Sequence, residues 1–153
     1  MKLSRLTDYA VLLLWRMSQG ARSHESSREG FRILSATTLA EETIVPLPTV
    51  AKVLKFLCKA GLLRSVRGAT GGYSLAKPAA EISVADIIRA IEGPVALAAC
   101  VEDEGCEHSG LCGMSGNWDV VNEAVLNALN SINLMQMTPR PVSFLEPPQR
   151  QQR

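Results

Sequence analysis

Three cysteines stand at equal intervals in CVEDEGCEHSGLC, residues 100–112. Five residues separate Cys100 from Cys106, and five separate Cys106 from Cys112. Thiolates suit soft or borderline metals: iron–sulfur clusters, zinc or copper(I). A structural zinc knuckle must chelate one small ion and favours cysteines roughly two to four residues apart, so these gaps are wide for it. A cluster is larger and has several iron corners, and Gly105, Gly110 and Gly113 let a backbone wrap around it. Three thiols are one short of the common four-thiolate set. His108, the nearby Glu102, Asp103, Glu104 and Glu107, and Asp8 from the first helix are the candidates to complete it. The rival reading, a plain loop with incidental thiols, does not explain regular spacing outside any apolar periodicity. Cys58, inside KFLCKAGLL, is expected to be an inert packing residue. His24 is assigned no role.

Charge is divided along the 153-residue chain although the net charge is only +1. Residues 1–98 carry 13 Lys/Arg against 8 Asp/Glu, and residues 99–137 carry none against 6. The pattern predicts a basic working surface and a separate acidic element. No apolar run reaches membrane-spanning length. The opening MKLSRLTDYAVLLLWRM reads as an amphipathic helix rather than an export signal, since Asp8 interrupts it, Arg16 follows closely and no small-residue cleavage site appears. The expected compartment is the reducing cytoplasm, where disulfide staples are rare.

The elements that must position these groups are mainly helical. A first helix is expected over Ser4–Ser18, with Leu6, Ala10, Leu13, Leu14 and Met17 on one stripe. A polar insertion follows, Gly20–Arg32, and a flexible stretch is set at 21–35. In SATTLAEETIV a short helix is predicted, capped by Thr37 or Thr38, with Glu41 and Glu42 in its first turns. Pro46 and Pro48 break the chain before a third helix, VAKVLKFLCKAG, which buries Val50, Val53, Leu54 and Leu57 and stops at Gly61. LLRSVRGATGGYSLAKP alternates about a glycine-rich turn, a β-hairpin pattern in which Tyr73 anchors the core. EISVADIIRAIEGP is a further helix, capped by Ser83 and ended at Gly93-Pro94. A long last helix is expected over Asn117–Met135, with Met114, Trp118, Val121, Val125, Ala128, Ile132 and Met135 in one stripe, which by itself could be intramolecular core.

Helix, helix, helix, hairpin is the order of a winged helix-turn-helix, in which the third helix enters a DNA major groove and the hairpin wing lies along the backbone or a neighbouring groove. From Leu47 to Lys77 the chain holds Lys52, Lys55, Lys59, Arg64, Arg67 and Lys77 and no acid, the imbalance that phosphate neutralisation needs. Thr49 lies near the start of the third helix, where its hydroxyl or N–H can meet a base edge or phosphate. Arg67 precedes Gly68, Gly71 and Gly72 in the wing, where it can enter a minor groove. Taken one at a time, the lysines could equally be a solvated helix face.

The segments RLTDYAV, LPTVAKVLKFLCKAGLLRSVRGATGGYSLAKP, EISVADIIRAIEGP, the three cysteines and GNW together resemble winged-helix iron–sulfur regulators of the IscR and NsrR type, over about residues 1–137. They are most similar to regulators of the SUF iron–sulfur assembly system. The resemblance implies a mainly α winged helix-turn-helix with a β-hairpin wing and a long C-terminal dimerisation helix. The chain then divides into a DNA-binding domain (1–98), a cluster loop (99–113) and a dimerisation helix (114–137), and the proline-rich remainder (138–153) reads as a mobile tail. It implies a homodimer bound to double-stranded promoter DNA, and Cys100, Cys106 and Cys112 as ligands of a 2Fe–2S cluster, with 4Fe–4S as the alternative. IscR-type members place a histidine three residues after the last cysteine, where this chain has Ser115. NsrR-type members use an aspartate of the first helix, contributed by the other subunit, and Asp8 stands at the matching place, which favours it over His108. The expected DNA-contacting set is Arg5, Thr49, Lys52, Lys55, Arg67, Gly71 and Gly72.

The implied activity is transcriptional control of iron–sulfur assembly genes by a cluster-bearing repressor, with no enzyme chemistry, membrane or small-molecule substrate. A nitric oxide or redox-responsive repressor of the same fold is a second reading. An iron–sulfur electron-transfer protein and a structural-zinc protein are readings of another class.

Overall fold

In the computed structural model, residues 2–19, 31–98, 101 and 117–137 are described. The elements in chain order are α1 (Arg5–Ser18), α2 (Ala36–Glu42), α3 (Leu47–Lys59), β1 (Leu63–Val66), β2 (Gly72–Leu75), α4 (Val84–Glu92) and α5 (Asn117–Asn130), with 3₁₀ turns at Ala79–Glu81 and Leu134–Gln136. No helix among the described residues is long and apolar enough to cross a membrane.

The core forms where the helical stripes meet. Ala10, Leu13, Leu14 and Met17 of α1 and Val50, Val53, Leu54 and Leu57 of α3 are almost fully removed from solvent, together with Leu39, Ile82 and Ile87. Burying each of these larger side chains contributes about 1.5–3 kcal/mol before chain entropy is subtracted. The stripes on α1 and α3 are those the sequence predicts.

Local chemistry sets the helix ends, in places differently from the prediction. Ser35, rather than Thr37 or Thr38, caps α2, its hydroxyl accepting from the Thr38 N–H at 3.0 Å. With the helix starting at Ala36, Glu41 and Glu42 fall in its last turn. There Glu42 pairs with Arg16 at 2.9 Å and Arg32 at 3.6 Å. α3 begins at Leu47, three residues earlier than expected, because Pro48 sits within its first two positions, where a missing N–H leaves no hydrogen bond unmade. It stops in a Schellman arrangement: Gly61 is left-handed (φ 73°), its N–H bonds Cys58 O at 3.0 Å, and the Leu62 N–H bonds Leu57 O at 2.9 Å. Ser83 and Asp86 form a reciprocal capping box on α4, as the sequence suggests.

The wing is an antiparallel hairpin in which Leu63 faces Leu75 and Val66 faces Gly72. It does not stand alone. Leu34 and Tyr73 exchange backbone hydrogen bonds of 2.9 and 2.8 Å, so the chain before α2 adds one bridge to the outer edge of β2. Leu34 is buried, so Phe31–Ser35, which the sequence reading assigned to the flexible stretch, is pinned structure. Residues 20–30, with His24, lie outside the described residues.

α5 ends at Asn130 rather than continuing to Met135. The backbone after it turns back and pairs with the entry to α4: the Val84 N–H bonds Ile132 O at 2.9 Å and the Leu134 N–H bonds Ile82 O at 2.8 Å. Leu134 is fully buried. The apolar residue that matters to the core is therefore one position away from the helical stripe read in the sequence.

The close pairing at Leu34 sets a steric limit on Gly72, where an added Cβ would fall 2.5 Å from Leu34 O. Gly72→Ala is expected to destabilise the protein by about 1–3 kcal/mol, read as a lowered urea midpoint at unchanged slope.

Candidate functional site

Burial of Val50, Val53, Leu54 and Leu57 turns the opposite side of α3 outward. Leu47, Pro48, Ala51, Lys52, Lys55 and Lys59 are all exposed there, as helical spacing requires. Thr49 is half-buried at the edge of this face. Its backbone N–H bonds Pro46 O at 2.9 Å, which leaves the hydroxyl as its group for an external partner. In the hairpin Arg67 is exposed on the turn between β1 and β2. Gly71 and Gly72 have an internal reason to be glycine: a Cβ on Gly71 would lie 2.4 Å from Val66 O, and one on Gly72 would meet Leu34.

The six bases between Leu47 and Lys77 do not form one surface. Lys77 bonds Asp86 at 3.0 Å on the flank of α4. Lys59 and Lys77 line a cleft of about 580 Å³ with Phe56, Leu62 and Arg89, between the end of α3 and α4. Burial opposes ionisation of Asp86, but hydrogen bonds from Lys77 and from Ser83 outweigh it and hold its carboxyl below the usual range. Lys52, Lys55 and Arg67 remain presented by α3 and the wing tip. Arg5 is exposed at the start of α1, an end tied to α4 rather than to α3 or the wing.

That tie is a cluster of hydrogen bonds on one carboxylate. The Ser4 N–H and Ser4 Oγ donate to Glu92 Oε1 at 2.9 and 2.6 Å, and Thr7 Oγ1 donates to the same oxygen. The hydroxyl bonds of Ser4 and Thr7 and the Ser4 amide favour the charged form and lower the Glu92 pKa. Glu92 is the last residue of α4, and Asp8, which is exposed, lies one residue beyond Thr7. After α4 the chain runs to the segment holding the cysteines. Leu97 donates its N–H to Asn122 Oδ1 of α5 at 3.1 Å, and Asn122 is only 5% exposed. The chain at Leu97, ahead of the cysteine segment, is thus fastened to α5 and the end of α4 to α1. Neither Glu92 nor Asn122 was singled out by sequence reasoning. A polar Asn122 between apolar positions of α5 was the available signal.

Cys100, Cys106, Cys112, His108, Glu102, Asp103, Glu104 and Glu107 lie outside the described residues. Among the described residues no three metal-ligating side chains come together. Cys58 is half-buried and burial pushes its thiol pKa up, as suits a packing residue.

α5 turns its apolar residues to solvent. Trp118, Val120 and Val121 are 44, 71 and 45% exposed, and Ile132 and Met135 beyond the helix are each 40% exposed. The stripe read in the sequence is therefore not core of this chain, although Val125 is half-buried; Met114 lies outside the described residues.

Residues 3–140 match the model of the Rrf2 family, described as an iron-dependent transcriptional regulator. The chain belongs to the Rrf2 family. An HTH-type transcriptional regulator of Neisseria meningitidis is 30% identical over 137 residues, covering 90% of this chain and 87% of that protein. The HTH-type transcriptional regulator IscR of Serratia proteamaculans is 33% identical over 99 residues, 65% of this chain and 60% of IscR. Among solved structures, CymR, the global cysteine regulator of B. subtilis, superposes with a TM-score of 0.62 at 26% identity, covering 90% of this chain and 95% of CymR. IscR of T. potens superposes at 0.60 and 28% identity, covering 90% of this chain and 85% of that one. The Rrf2 chain is a winged-helix transcriptional regulator and not an enzyme.

Glu92 keeps its charge to lower pH in the folded chain than in the unfolded one. Its stabilisation is complete above the ordinary glutamate value of about 4.3 and is lost as pH falls through its lowered value. Glu92→Gln should therefore lower stability at neutral pH. It should also flatten the acid-side loss of wild-type melting temperature as pH falls below the ordinary glutamate value, leaving the part due to Asp86.

Proposed function

We propose that this Rrf2 regulator is a cytoplasmic homodimer that binds promoter DNA through α3 and the wing and controls iron–sulfur assembly genes according to the occupancy of its cysteine loop. The observation that carries the DNA half is the outward face of α3, where Lys52 and Lys55 stand opposite the buried stripe with Arg67 on the neighbouring hairpin. Thr49, Arg5 and the backbone at Gly71 and Gly72 complete the proposed contact set. The exposed apolar side of α5 supports a second copy of the chain as its cover, which would hold two recognition helices at the spacing of two half-sites.

The proposed ligands of an iron–sulfur cluster are Cys100, Cys106 and Cys112, with Asp8 as the fourth across the dimer. The donor set fits: three thiolates suit iron–sulfur chemistry, and an exposed carboxylate on α1 is a hard, exchangeable fourth ligand. When bound, such a group supplies a labile iron corner whose loss or oxidation is the signal. The protein's part is mechanical. Leu97–Asn122 ties the chain ahead of the loop to α5, and Glu92 couples α4 to the turn of α1 that carries Asp8. A loop held differently in its two states biases the dimer only by its differential affinity for those states.

Two experiments test this reading. Lys52→Ala and Lys55→Ala should each weaken duplex binding across sequences and reduce the slope of log K against log salt by about one per protomer. Lys77→Ala should leave that slope unchanged, because Lys77 faces Asp86. Protein isolated without air should be brown, with iron, acid-labile sulfide and a visible charge-transfer band. Asp8→Ala should shorten the life of that band in air, and an unchanged lifetime rejects Asp8 as a ligand. A colourless protein with stoichiometric zinc would remove the sensor and leave the DNA-binding half.

A further inference from the structure

The exposed tip of α3 is apolar. Leu47 is 44% exposed, Ala51 one turn later is also exposed, and Ile44, in the turn between α2 and α3, is 95% exposed. Ile44 and Leu47 line one shallow depression with Thr37, Ala40, Glu41 and Pro46. The core already draws on Val45 and Val50, which are buried on either side, so folding gives no reason for apolar side chains on the outer face.

The same tip is poor in hydrogen-bond donors. A helix normally offers four unpaired N–H groups at its start. Here Pro46 and Pro48 have none, and the Thr49 N–H bonds Pro46 O at 2.9 Å. Only the Leu47 N–H is left of the four. Apart from Lys52, the outward residues of the first two turns include none of the side chains that make paired hydrogen bonds to base edges: no Arg, Asn, Gln, Asp or Glu. Lys52 and Lys55 sit beside this surface and supply charge suited to phosphates.

In a major groove one base feature is matched by an apolar contact, the C5 methyl of thymine. We propose that Leu47 and Ala51 are specificity-determining residues that read thymine methyl groups, so that the recognition helix selects sequence chiefly by apolar contact. This rests on the DNA-binding reading above and deepens it. The cover of this patch is DNA rather than another protein because cationic Lys52 and Lys55 continue the same helix face.

The test uses the full-length protein, prepared without air. A preferred site is selected from a pool of random duplexes, and each thymine in it is replaced singly by deoxyuridine, which removes only the methyl. At one or more thymines per half-site, binding should weaken by about four-fold, the worth of one CH₂-sized apolar group. Thymines outside the protected region should show no change. Leu47→Ser or Ala51→Ser should abolish the deoxyuridine effect at its own thymine, the signature of a direct pair. If every deoxyuridine duplex binds as tightly as its thymine parent, the inference is overturned. It is also overturned if the effect persists in both serine variants. The deoxyuridine series on the unaltered protein needs no variant to fold. Selection of a site with no methyl effect sinks this inference alone, whereas failure to enrich any sequence or bind any duplex sinks the DNA-binding reading with it.

Discussion

One side of α3 is fully buried, and that constraint orders everything outside the core. Val50, Val53, Leu54 and Leu57 pack against Leu13, Leu14 and Met17 of α1. Once that packing forms, the rotation of α3 about its axis is fixed, because turning it would replace aliphatic burial with buried lysine. The face carrying Lys52 and Lys55 is thus presented by default. The hairpin is held at the end of the same helix, and the bridge from Leu34 to Tyr73 ties its outer strand to the chain entering α2. α3 and the wing are joined and supported from two directions.

The second half of the molecule is organised by polar contacts at its joints. Glu92 gathers three donors from the start of α1, and Asn122 receives the N–H of Leu97. Hydrogen bonds to charged groups are stronger than neutral ones but depend on geometry. Such joints can hold two helices in register and still be released by a change of partner or charge, which a buried leucine contact does not permit. It is a suitable place for a regulator to keep its moving parts.

Much of this architecture was legible in the sequence. The stripes of α1 and α3, the glycine stop at Gly61, the wing and the Ser83 cap follow from periodicity and short-range chemistry, which act within a few residues. The misreadings involve partners distant in the chain. Leu34 looked like part of a flexible stretch because its bridge partner is Tyr73. Leu134 looked like helix because its hydrogen bond goes to Ile82. Glu92 could not be recognised as a joint from its own neighbourhood, since Ser4 and Thr7 lie some eighty-five residues earlier. The candidate contact residues on α3 were legible for the opposite reason: burying one side of a helix names the other.

α5 is fastened within its first half, by Asn122 to Leu97, and beyond its last turn, by the strand-like pairing of Ile132 and Leu134 with Val84 and Ile82. Held there, it leaves Trp118, Val120 and Val121 turned outward among the described residues. A protomer so built carries a sticky flank, and dilution gives that flank nothing to rest on.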